Sequence, residues 1–136
     1  DEVAERIDHQ RVHFVGKLPH ATLTQLMQVS TVHAYLTYPF VLSWSLMEAM
    51  SIGCLIVASD TAPVQEHIRH GENGLLVDFF DPQALANTIA QAIEQREQLR
   101  ELRTAARSHV VANLDLNGTC LPAQIDLMSR IVNAPL

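Results

Sequence analysis

Cys54 to Ser59 reads CLIVAS, five apolar residues in a row closed by one hydroxyl. A strand with one wet face would alternate, placing a polar residue at every second position. This run predicts a strand buried on both faces. Such strands belong to parallel sheets with helices packed above and below, so the segment restricts the chain to an α/β architecture. Its surroundings agree. RVHFVG (residues 11–16), VHAYLT (32–37) and NGLLVDF (73–79) carry strand-like patterns, the last entered through an Asn-Gly turn. Between them lie helical stripes in HATLTQLMQVS (20–30), SWSLMEAMSIG (43–53) and PVQEHIRHG (63–71). In the second of these, Ser43 is placed to cap and Gly53 to stop the helix. Pro63 starts the third and Gly71 stops it.

The C-terminal half is helical. DPQALANTIAQAIEQ opens with Asp81 at the cap and Pro82 at the first position. REQLRELRTAARSHVVAN is amphipathic, and its charges from Arg96 to Arg107 are expected on a solvated face. TCLPAQIDLMSRIV is expected to form a last helix with Leu127, Met128 and Ile131 inward. Strands and helices alternate, so ligands are expected in the strand-to-helix loops at the carboxyl edge of the sheet.

Residues 40–58 are apolar enough to raise the question of a membrane span, but Glu48 lies mid-run. A central acid opposes insertion by roughly 3 kcal/mol, so no transmembrane segment is expected. The stretch reads instead as a buried helix and a buried strand joined at Gly53. A net charge of −6 argues against nucleic acid as a partner. Cys54 and Cys120 make no disulfide framework, and no Cys/His or His/Asp/Glu spacing reads as a metal site. This cysteine usage fits a cytoplasmic protein. Asp1 stands where an initiator Met is usual, which suggests a piece of a longer chain. His13 and His33 are expected to be structural, and His67 and His70 solvated.

Glu48 is the one charge in TYPFVLSWSLMEAM, residues 37–50. It lies about one turn inside the helix begun by Ser43. The N–H groups of that helix start favour an anion. A carboxylate beside them repels phosphate but can accept hydrogen bonds from a diol. Phosphate on the helix start with a ribose on the neighbouring acid is a logic of nucleotide binding. A plainer role stays open, in which Glu48 complements the helix dipole or pairs with a basic residue. Neither GxGxxG nor GxxxxGK[ST] occurs, so the usual dinucleotide and phosphate-loop readings fail. Trp44 either stacks on a ligand or packs on the strand behind it; Tyr38 and Phe40 read as core or pocket wall.

FVGKL (14–18) and LMEAMSIGCLIVASDTAPVQEHIRHGENGLLVDFFDPQALANTI (46–89) resemble the C-terminal domain of retaining nucleotide-sugar glycosyltransferases, family 4 of the two-Rossmann-domain GT-B type. The EAM..G helix, the apolar strand, the E…G.NGLLV turn and the D...LA..I helix come in order and at the family's spacing. The resemblance implies a Rossmann-like parallel sheet flanked by helices. Residues 1–136 would be a partial donor-binding domain, with the N-terminal acceptor domain outside the chain. The implied reaction moves a sugar from a nucleotide-diphosphate donor to a hydroxyl acceptor with retention, in polysaccharide or glycoconjugate biosynthesis. No metal or other cofactor is implied. A cytoplasmic enzyme that touches the inner membrane face is compatible with the resemblance.

It also implies roles for single residues. Glu48 matches the second acid of the family's E-x7-E motif, which accepts the ribose hydroxyls. Ser43, Trp44 and Ser45 match the segment whose backbone approaches diphosphate and sugar. Gly16 and Lys17 match the loop bordering the base, with His20 nearby. Glu66 matches a structural acid, and Gly71 and Gly74 the turn glycines. Phe40 departs from the family, since the first glutamate belongs there. It cannot accept a hydrogen bond, so sugar recognition is retuned or lost. The alternative is a non-catalytic nucleotide-binding or assembly module; an epimerase of the same architecture ranks below both. The isolated fragment is expected to bind donor weakly and to transfer nothing.

Overall fold

The computed structural model describes residues 7–38 and 41–133. Helix α1 (His20–Val29) leads into β1 (His33–Tyr35), α2 (Trp44–Ile52), β2 (Ile56–Ser59), α3 (Ala62–Gln65) and β3 (Leu75–Val77). Two long helices follow, α4 (Pro82–Glu94) and α5 (Arg100–Leu114), then a π-helical turn (Leu116–Cys120) and α6 (Leu121–Val132). The strands form one parallel sheet in the order β1-β2-β3. Ala34 pairs with Val57, and Ala58 with Leu76.

The central strand is buried at every position, and its alternate side chains serve two cores. Ile56 and Ala58 join Leu46, Ala49 and Met50 of α2, Val64 and Ile68 on one face. Leu55 and Val57 meet Val77, Ala92 of α4 and Leu102 on the other. The caps form as the sequence predicts. Ser43 Oγ accepts from the Ser45 N–H at 3.3 Å, and Asp81 Oδ1 accepts from the Ala84 N–H at 2.8 Å. Gly53 ends α2 at φ +81°, a left-handed conformation costly for other residues. Gly74 is required for space, since a Cβ there would lie 2.9 Å from Ile68 Cγ2. Asn73 ties the same turn by accepting from the Arg69 N–H and donating to the His67 carbonyl.

Four expectations are corrected. The helix expected over residues 63–71 is shorter, since α3 spans Ala62–Gln65 and ends well before Gly71. Residues 11–16 form no strand, and Val12, Phe14 (75% exposed) and Val15 lie open. An apolar alternation becomes a strand only by pairing its backbone, and no described residue supplies that ladder. Helix α6 forms but buries none of its residues, and Leu127, Met128 and Ile131 are exposed rather than inward. The charged run of α5 is not wholly solvated. Arg103 Nε donates to the Gly53 carbonyl at 2.8 Å, and Arg107 reaches the Ser51 carbonyl. These guanidinium groups satisfy carbonyls left open at the C-terminus of α2. No helix described is long and apolar enough to cross a membrane.

Burial lowers the pKa of His33 in β1. It does the same for His109 on α5, with smaller contributions from His67 and Arg69. Folding therefore disfavours the charged form of both imidazoles, while the unfolded chain protonates near the ordinary value of 6.5. Their contribution is complete above that value and is lost as pH falls through it toward the lowered folded pKa. Urea titrations should show lower stability at pH 5.5 than at 7.5, with a slope of at most ~1.4 kcal/mol per pH unit for each histidine. The double variant His33→Gln/His109→Gln should flatten that slope.

Candidate functional site

The site is built at the carboxyl ends of β1 and β2. The Ser59 hydroxyl, fully buried, donates to the Thr37 carbonyl at 2.8 Å and accepts from the Thr37 N–H at 3.0 Å. That clasp holds the chain leaving β1 against the end of β2. Two residues back, buried Tyr35 points its hydroxyl at the start of α2, where it accepts from the Ser43 N–H at 2.9 Å. The helix that presents Glu48 is thus seated on the sheet by a polar contact as well as by Leu46, Ala49 and Met50.

At that helix start, two N–H groups are already engaged, that of Ser43 by Tyr35 and that of Ser45 by Ser43 Oγ. Ser45 Oγ also donates to Ser43 Oγ at 3.0 Å. Among the described residues, no acceptor engages the Trp44 N–H. The Trp44 side chain is 86% exposed, so it does not pack on the strand behind. Phe40 lies outside the described residues. Tyr38 is exposed and gathers with Phe79 and Phe80 beyond β3, at ring-centroid distances of 5.7 and 5.3 Å.

Glu48 is not buried without a partner. Its side chain is 39% exposed, and Oε1 lies 2.9 Å from His20 Nε2. His20 is the first residue of α1, so the pair joins the start of one helix to the second turn of another. A groove of about 840 Å³ runs from this pair, with Thr24 and Ser51 beside it. Trp44, Met47, Ile52, Val110, Leu114, Leu116 and Cys120 complete its walls. The lining is thus mostly apolar, with polar groups at His20, Thr24, Glu48 and Ser51.

The remaining sequence-selected residues lie less close together. Gly16 adopts φ +63° in an exposed bend, and Lys17 beside it is exposed. Three residues further on, His20 carries that loop to Glu48. Glu66 is exposed at the end of α3 and forms no ion pair among the described residues. Gly71 takes φ +75°, as its turn role needs. His67 and His70 are not simply solvated. His67 lies edge-on to His109 at 5.8 Å, and His70 Nδ1 accepts from the Leu76 N–H. Among the described residues, no group of three or more His, Cys, Asp or Glu side chains could hold a metal.

The family model described as "Glycosyl transferases group 1" matches residues 2–109. D-inositol 3-phosphate glycosyltransferase of Corynebacterium urealyticum is 29% identical over 110 residues, which is 80% of this chain and 26% of that protein. The enzyme of that name from Corynebacterium efficiens is 28% identical over 88 residues, 65% of this chain and 21% of that one. Among solved structures, sucrose-phosphate synthase from Thermosynechococcus elongatus superposes with a TM-score of 0.76 at 29% identity. The match covers 92% of this chain and 31% of the other. HepE of Anabaena, solved in complex with UDP and with UDP-glucose, gives a TM-score of 0.70 over 77% of this chain and 29% of its own. Identity to it is 27% in the UDP complex and 26% in the UDP-glucose complex. The chain thus spans about a quarter of the length of the first relative and under a third of each structure.

Proposed function

The chain belongs to the group 1 glycosyl transferases, and from that premise we propose that it is the donor-binding part of an enzyme moving a sugar from a nucleotide diphosphate to a hydroxyl acceptor with retention. The acceptor domain lies outside the chain in this reading. The observation that carries it is Glu48, a half-exposed carboxylate one turn inside a helix whose start lies at the carboxyl edge of a parallel sheet. Ribose hydroxyls donate to that carboxylate. The Trp44 N–H and the dipole of α2 meet the diphosphate. Gly16 and Lys17 border the base. The complexes of HepE with UDP and UDP-glucose support a nucleotide-sugar donor. No metal is needed in this reading, because the N–H groups and dipole at the start of α2 offset part of the diphosphate charge.

Phe40, at the place of the family's first acid, favours a second reading in which the donor site has decayed into a non-catalytic binding module. Thermal-shift titration of the full protein with UDP, GDP, ADP and their glucose conjugates tests both. One nucleotide series should raise Tm, and slow hydrolysis of its sugar conjugate should accompany it. No shift from any nucleotide refutes the donor-binding reading. A shift without hydrolysis or transfer selects the binding module. The 136-residue chain alone should bind weakly and transfer nothing.

A further inference from the structure

We propose that His20 is a positioning residue for the donor's ribose, acting through Glu48; the inference rests on the ribose assignment above. The contact joins residues 28 apart in sequence, at 2.9 Å. An ionised carboxylate only accepts hydrogen bonds, so Nε2 must carry the proton whether the ring is neutral or charged. Among the described residues His20 is the one ionic partner of Glu48.

A glutamate on an open helix face samples several rotamers, and ligand binding would have to freeze them. His20 has already selected one. It uses one lone-pair position on Oε1, while the carboxylate offers about four across its two oxygens. Room remains for both hydroxyls of a vicinal diol. The anchor is itself set in place, because His20 opens α1 directly after Pro19, whose ring restricts the backbone there. His20 thus prepares the acceptor and does not compete for it.

The test compares the full protein with His20→Ala, His20→Gln, Glu48→Ala and the double variant His20→Ala/Glu48→Ala. Calorimetry gives Kd for whichever of UDP, GDP or ADP binds most tightly, and for its 2′,3′-dideoxy analogue. His20→Ala should weaken the ribonucleotide about three- to tenfold, the range expected for ordering one exposed side chain. It should leave the dideoxy analogue within about twofold, because that analogue draws nothing from the ordered carboxylate. His20→Gln, whose amide can donate in the same place, should recover most of the loss. In the Glu48→Ala background, His20→Ala should add nothing. Equal weakening of both nucleotides, no weakening, tighter binding of the ribonucleotide, or no recovery by glutamine each overturns the proposal. If Glu48→Ala itself fails to separate the two nucleotides, or none of the three nucleotides binds, the ribose assignment falls and this one with it. If Glu48→Ala separates them and His20→Ala does not, only the positioning role falls.

Discussion

Glu48→Ala in the full enzyme should lower kcat/KM for the nucleotide sugar at least tenfold. Each hydrogen bond between a ribose hydroxyl and an ionised carboxylate contributes about 1.5–3 kcal/mol. Since every ~1.4 kcal/mol is a factor of ten, loss of one such bond already reaches the predicted effect. Glu48→Gln keeps one acceptor oxygen and should fall between the parent and the alanine variant. Stability should change little, because the side chain is part-exposed and its pair with largely exposed His20 is of the kind that contributes at most about 1 kcal/mol. A kcat/KM equal to the parent's would remove the ribose from Glu48. A fall in kcat/KM matched by a fall in Tm would mean that the variant damages α2 rather than the site.

The features legible in the sequence are those decided locally. The unbroken apolar run of β2 states that two faces are covered, and Ile56 and Leu55 do enter different cores. Ser43, Gly53 and Asp81 mark helix ends through bonds made within four residues, and Pro82 through its fixed φ, so spacing alone exposes them. Other features depend on what the chain meets in space. Residues 11–16 have a strand's pattern but no ladder partner among the described residues. Helix α6 has an apolar stripe and no described surface to bury it. The site divides in the same way. Glu48 stood out as a lone charge in apolar sequence, and Ser43 to Ser45 as a helix start. His20 was legible as a neighbour of the base loop, but its pairing with Glu48 was hidden, as were the contacts of Arg103 and the Tyr35 hydroxyl, since each meets its partner across the fold. A sequence signal did exist for Tyr35, a phenol in a strand whose ring is buried, because a buried hydroxyl must find a hydrogen bond.

Leu46→Ala separates the support of the site from its chemistry. Leu46 is fully buried and packs in the cluster that includes Met50, Ile56 and Val64. It lies two residues before Glu48, about 200° around the helix, so one faces the core and the other the groove. Truncation removes three carbons from a packed interior and leaves a cavity, at a cost of about 2–5 kcal/mol. Against a total stability of about 5–15 kcal/mol, that is a large fraction, and Tm should fall by ~10 °C or more. The carboxylate, its histidine partner and the Trp44 N–H are untouched by the change. Once corrected for the folded fraction at low temperature, nucleotide affinity should stay within about threefold of the parent, as expected for sites that do not share partners. Glu48→Ala should do the reverse, losing affinity at nearly constant Tm. A Leu46→Ala variant that melts within about 2 °C of the parent would contradict the packing. One that keeps its fold but loses nucleotide binding tenfold would show that the seat of α2 sets the geometry of Glu48 directly.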